Sequence, residues 1–341
     1  MRKALIAGLT SAFALLAATA GGHSHPTPRP HGIVYVTERS AGTTSAFDAA
    51  TGHVLWTAPV GAGPIGIVRP RGVEKVYTSD EAANQMSVLD RRSGAALGRI
   101  PMGPLPHHLM ASRNGRRIYV AEFGAAQIGV VDTATDQRIG GYVASRLADA
   151  RTHAVFVRGR DLYATNTRVD RSQPGDVAKL DARTGALECN VPVGADPSEI
   201  LVTPNGKLGY VSVRREDKVK ELDLRRRCPV LTGREAVVGT QPDTLQLTPD
   251  GRTLVVTLRG TPARISLMDT CSFAVRGVDI PGHATTGHHW LSPNGRFTLV
   301  AAETPGSLVV VDNRTGTVVA DYAYPGGPRP HGVFAEPDRD R

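Results

Sequence analysis

The sequence predicts an all-β chain: a seven-bladed β-propeller of four-stranded antiparallel blades, closed by a C-terminal strand that completes the first blade. Three observations predict it. A strand-like segment recurs seven times, a second strand ending in aspartate follows each at a nearly fixed distance, and the first and last units are incomplete in complementary ways.

The recurring segment reads VYVTE (34–38), VYTSD (76–80), IYVAE (118–122), LYATN (162–166), GYVSV (209–213), LVVTL (254–258) and TLVAA (298–302). From its second position to the aspartate ending the next strand (Asp48, Asp90, Asp132, Asp181, Asp223, Asp269 and Asp312) the separations are 13, 13, 13, 18, 13, 14 and 13 residues. Those aspartates recur every 42 to 49 residues, a period that marks repeated supersecondary units. Four of them open the turns DAATG, DRRSG, DARTG and DNRTG, in which the carboxylate bonds the backbone ahead and glycine takes the left-handed conformation. Thirteen residues before the second position stand Pro64, Pro106, Pro197, Pro242 and Thr286, each opening an inner strand that runs into a turn such as TPNGK, TPDGR or SPNGR. Each unit is therefore four short strands joined by tight turns.

The ends supply the closure. Pro30 precedes Tyr35 by only five residues, too few for an inner strand and a turn, whereas PRPHGVFAEPDRDR (328–341) opens a further unit at Pro330 and stops. A ring closed in this way uses up strand edges that would otherwise invite aggregation.

Residues 1–20, MRKALIAGLTSAFALLAATA, read as a secretory signal peptide with Arg2 and Lys3, an apolar stretch and small residues at the cleavage site. The expected organisation is signal peptide 1–20, flexible tail 21–30 and a single propeller domain 31–341. No later run suits a membrane span, and the mature protein is expected to be secreted or extracytoplasmic and monomeric. Loss of the signal takes two positive charges from the formal +8, leaving +6. Only six of the 40 basic residues are lysines, which leaves 34 arginines. The clusters Arg91 and Arg92, Arg116 and Arg117, and Arg225 to Arg227 read as solvated turn residues. With aromatic residues at 5%, stacking platforms for single-stranded nucleic acid are scarce. Cys189, Cys228 and Cys271 allow at most one internal disulfide and leave one thiol; the pairing stays open.

The units resemble the YVTN (YncE-like) β-propeller repeat family, through VYVTE, IYVAE and LYATN together with TPDGR and DNRTG. The likeness covers about 31–341 and implies a seven-bladed propeller used most often as an interaction module. Units five to seven depart from it, with Val213, Leu258 and Ala302 at the last position of the motif.

Strand parity then gathers the chemistry. Turns after the first and third strands of a blade lie on one face of the disk, and those after the second and fourth on the other. The second face receives His107 and His108 at the start of an inner strand, with His153, His288, His289 and His331 at equivalent levels and His283 just upstream. Ser198, Glu199, Asp243 and Thr244 occupy that level in other blades, and the ends of the second strands are expected to bring Glu38, Asp80, Glu122 and Asn166 to the same rim. The candidate ligand-binding set is His107, His108, Glu122, His153, Asp243, His283, His288, His289 and His331. The candidate metal ligands are His107, His153, His288 and His331, because neutral imidazole suits a divalent transition metal. Trp56 and Trp290 read as strand residues packed between blades, with the channel wall as the alternative for Trp290.

Three functional expectations follow. The first is a binding or scaffold propeller that presents this histidine face to a small ligand, a metal or an extracytoplasmic protein. The alternative is an enzyme at the same mouth, a metal- or histidine-dependent lyase or lactonase, in which His107, His153, His288 and His331 act with Glu122 or Asp243. The second alternative is non-specific DNA binding, which the basic balance favours and the low aromatic content opposes. Gly-rich phosphate loops, H-E-x-x-H and G-x-S-x-G are absent from the sequence.

Overall fold

The computed structural model describes residues 29–324, 327 and 329–336. The expected signal peptide and the tail up to residue 28 lie outside them. Seven four-stranded antiparallel sheets form, each contributed in chain order except the first. That blade combines Ile33–Glu38, Thr43–Asp48 and Val54–Pro59 with Pro330–Ala335 as its inner strand. Tyr35 pairs with Phe334 and Val36 with Val333 across the closure. The second blade, Pro64–Val68, Lys75–Asp80, Gln85–Asp90 and Ala96–Pro101, shows the regular order. The expected all-β propeller, with its C-terminal closing strand, is the observed fold.

The recurring segment is the second strand of each blade, and it is buried along almost its whole length because neighbouring blades cover both its faces. This is why it reads as a continuous apolar run rather than an alternating one. Its tyrosine spans the gap between blades. Tyr77 donates to Asp136 at 2.6 Å in the third blade, and Tyr119 donates to the Ala182 carbonyl at 2.8 Å in the fourth. A buried aromatic body with a satisfied hydroxyl suits that position.

Two expectations change. Arg91 is not a solvated turn residue: it is 2% exposed and donates from Nη1 to both carboxylate oxygens of Glu336 at 3.2 Å, joining the second blade to the end of the closing strand. The open disulfide question resolves as Cys189 with Cys228, Cα atoms 6.1 Å apart, linking the outer strand of blade four to a turn of blade five, and Cys271 is free and exposed. Trp56 packs between blades as expected, its indole N–H on the Arg91 carbonyl at 3.2 Å. No helix among the described residues is long and apolar enough to cross a membrane.

Candidate functional site

Every inner strand begins with a β-bulge. Pro106 pairs with Glu122 and Leu109 with Val120, so three steps of the inner strand oppose two of its neighbour. The same shift occurs after Pro64, Pro197, Pro242, Thr286 and Pro330, and in blade four His153 is the extra residue between Thr152 and Ala154. A bulge breaks the alternation of side chains and re-aims them. His107 consequently lines the mouth of the channel and His108 the chamber beneath it.

The mouth is a cavity of about 440 Å3 to which all seven blades contribute. His107, His153, His288 and His331 form its inner wall, and Arg39, Arg171, Arg214, Arg215 and Arg259 project around them with Glu81, Asp196 and Asp243. The charges interlock. Arg39 pairs with Glu81 at 2.5 Å, Arg171 with Asp196 at 3.3 Å, and Arg259 with Glu303 at 3.2 Å. Asp243, 2% exposed, sits against Arg214, receives the Ser198 hydroxyl at 2.5 Å and lies 4.0 Å from Arg259. Burial alone would push its pKa up, but the guanidiniums of Arg214 and Arg259 hold it well below the ordinary carboxylate value.

The imidazoles go the other way. Burial pushes His107 below the ordinary value and His153 and His288 well below it, and lowers His331 to about 4. All four are therefore neutral at pH 7. Three have their Nδ1 committed: His107 to Glu81 at 3.0 Å, His153 to the Ser198 carbonyl at 2.9 Å and His331 to Glu303 at 3.2 Å. A carbonyl or carboxylate only accepts, so each Nδ1 carries the proton and each Nε2 keeps its lone pair. Against the upward push of burial, the hydrogen bond from His107 and then the charge of the Arg39 guanidinium keep Glu81 below its ordinary range.

The expected four-histidine metal site does not assemble. His107 meets His153 edge-on with ring centroids 4.5 Å apart, and His288 meets His331 at 4.6 Å with tilted rings, giving two separate pairs. Among the described residues no three His, Cys, Asp or Glu side chains converge as ligands of one metal ion.

Of the expected site residues, His107, His153, Asp243, His288 and His331 meet at the mouth. Glu122 does not: it is fully buried, paired with Arg138 at 2.9 Å and capping the Gly103 N–H at 3.0 Å. His283 is held by the Pro305 carbonyl and Asp321 outside the mouth, and His108 and His289 line the lower chamber. Trp290 also stands in that lower wall, its ring 4.6 Å from Phe334. Sequence reasoning missed Arg39, Glu81, Phe123, Arg214 and Arg259. They directly follow Glu38, Asp80, Glu122, Val213 and Leu258, the ends of the second strands. Side chains alternate along a strand, so the residue one step further along faces the channel.

A family model described as outer membrane protein assembly factor BamB matches residues 11–206. No curated protein sequence matches the chain. Among solved structures, hydrazine synthase from Kuenenia stuttgartiensis is similar with a TM-score of 0.68 at 16% identity, covering 89% of this chain and 99% of that one. A putative 6-phosphogluconolactonase from Bacteroides fragilis gives 0.69 at 18% identity, with 89% and 98% covered. The periplasmic gluconolactonase PpgL of Pseudomonas aeruginosa gives 0.67 at 17%, again with 89% and 98% covered. At these identities the likeness is one of fold.

Proposed function

The chain belongs to the family described as outer membrane protein assembly factor BamB, and we propose that its own function lies in the channel mouth, as a binding site for a small oxyanionic molecule bearing carboxylate or phosphate groups. The observation that carries this reading is the charge of the lining. Five guanidiniums stand against three carboxylates over four neutral imidazoles, an excess of two positive charges within one cavity. Glu303 and Arg329, 3.8 Å apart behind His331, leave that balance unchanged. Guanidinium forks match carboxylate and phosphate oxygens in geometry as well as charge. The signal-like first twenty residues support an extracytoplasmic place of action, and the repeats support a YVTN-type interaction propeller.

Calorimetric titration of the purified protein with gluconate and 6-phosphogluconate tests the reading. Saturable binding of one molecule per chain, weakened about tenfold or more by the Arg214→Gln, Arg259→Gln double variant, is the expected result. Absence of saturable binding to either anion removes it.

Hydrolysis of an anionic sugar lactone at the same mouth is the second reading, favoured by the His107–Glu81 and His331–Glu303 pairs. In it, a bare Nε2 takes a proton from water as the oxygen attacks the lactone carbonyl, the ring C–O bond breaks, and the leaving alkoxide recovers the proton. Base uptake in a pH-stat with 6-phosphogluconolactone, lost in His107→Gln or His331→Gln while anion binding persists, would distinguish it from binding alone.

A further inference from the structure

Below the mouth the channel changes chemistry. The inner strands and the turns that end them enclose a second chamber of about 390 Å3, walled by Leu109, Leu245, Leu247, Phe156, Trp290 and Phe334 among other apolar side chains. A largely apolar wall with a few converging polar groups is the usual character of a small-molecule site. Among the described residues lining it there is no arginine or lysine, and Glu199 is the only acidic side chain. His288 lines both chambers and stands between the cationic mouth and this floor.

Glu199 is under-served for a buried carboxylate. Its side chain is 11% exposed; Oε2 accepts the Leu245 N–H at 2.7 Å, and Oε1 has His108 Nε2 at 3.4 Å. If that nitrogen carries the proton, His108 Nδ1 is an acceptor, and it is buried without a partner, as is His289 Nε2. A buried carboxylate without a cation costs several kcal/mol, and the aromatic faces of Phe156, Trp290 and Phe334 in the same chamber wall attract positive charge.

We infer that this lower chamber is a second binding site, specific for a compact lipophilic amine whose ammonium pairs with Glu199 while its ring or short alkyl body packs against Trp290 and Phe334. The two ends of the channel then select opposite charges, an oxyanion above and an organic cation below. The inference is independent of the reading of the mouth.

The test uses phenethylamine and its uncharged counterpart 2-phenylethanol, titrated at pH 7 by calorimetry and by fluorescence. The chain contains two tryptophans, so Trp56→Phe leaves Trp290 as the sole indole reporter in the chamber wall. The expected result is saturable amine binding with a change in Trp290 emission, about tenfold or more tighter than the alcohol. Glu199→Gln keeps an acceptor for the Leu245 N–H and should erase the preference for the amine while leaving the alcohol bound. Leu247→Arg, which places a cation in the chamber, should abolish amine binding, whereas the Arg214→Gln, Arg259→Gln pair should leave it intact. Equal affinity for amine and alcohol, a preference that survives Glu199→Gln, or amine binding lost with the two arginines instead would overturn the inference. Circular dichroism of each variant separates loss of the site from loss of fold.

Discussion

Arg91 and Glu336 meet across the closure of the ring, with both carboxylate oxygens 3.2 Å from Nη1 and both residues at most 4% exposed. Tyr35 adds its hydroxyl to the same carboxylate at 2.6 Å, and Glu74 takes the Nε of Arg91 at 2.6 Å. The end of the closing strand is therefore tied to blades one and two by a buried charge network as well as by strand pairing. Removing Arg91 leaves the buried Glu336 carboxylate with Arg69 alone as its cation, at 3.4 Å, which costs about 3 kcal/mol. Arg91→Ala is expected to lower the unfolding free energy read from urea titration by that amount, and so its midpoint, and Arg92→Ala, at an exposed position of the same turn, by far less. Equal midpoints for the two variants would remove the network from the account of closure.

The closure itself could be read from spacing: five residues before Tyr35 leave no room for a strand, and a new unit begins at Pro330. The ion pair could not, because Arg91 and Glu336 are 245 residues apart and no local pattern links them. The site divides in the same way. Recurrent positions after Pro106 and its equivalents placed His107, His153 and His331 at one level, since a repeat carries its geometry from blade to blade. The error at Glu122 came from parity: a shift of one residue reverses the face a side chain occupies. The metal expectation rested on a common level, but the four rings meet as two separate pairs, because a shared level does not fix which neighbours a side chain meets. The arginines of the mouth were invisible because 34 of them dilute any compositional trend.

Gly332 sits in the bulge of the closing strand. Its N–H donates to the Thr37 hydroxyl at 2.8 Å, and a Cβ there would collide with the Ile65 carbonyl of the adjacent inner strand. Gly287 has the matching relation to His331, with a Cβ 2.8 Å from its carbonyl oxygen. Backbone cannot yield as a flexible side chain can, so Gly332→Ala should destabilise the ring by about 1–3 kcal/mol through overpacking. Gly72→Ala offers the contrast: its positive φ of 74 strains the turn, but nothing lies within 4 Å of its Cβ. A melting temperature for Gly332→Ala equal to that of the parent would contradict the close approach of the strands.

Stability should fall as the solution becomes acidic, beginning near pH 6.5. Burial first, and Arg259 next, lower His331 from 6.5 to about 4 in the folded protein. Between those values the unfolded chain binds a proton that the folded mouth refuses, so each step down in pH favours unfolding. The full span is worth about 3 kcal/mol for this one residue, with His153 and His288 acting in the same sense. Glu303, held to about 2, extends the loss below 4.5. Asp80 and Asp176, which burial pushes up, oppose it. The difference between parent and His331→Gln isolates the imidazole: unfolding free energy should depend less steeply on pH in the variant between pH 6.5 and 4. Parallel curves would mean that His331 titrates normally.

Asp243 separates a structural counter-charge from a group that handles ligand directly. It is wedged between Arg214 and Arg259 and accepts the Ser198 hydroxyl, so Asn keeps the shape and a hydrogen-bond acceptor but frees positive charge toward the mouth. Stability should drop by about 1–3 kcal/mol, because two guanidiniums lose a buried partner. Affinity for 6-phosphogluconate should rise in the same variant, since the lining excess grows from two charges to three, and the gain should shrink with added salt as screening sets in. The opposite signs are the informative feature. A general destabilisation of the mouth would lower stability and affinity together, and so would the loss of an Asp243 that coordinated or polarised the ligand. Affinity that falls with stability in Asp243→Asn would therefore move this carboxylate from the frame of the site into its contact with ligand.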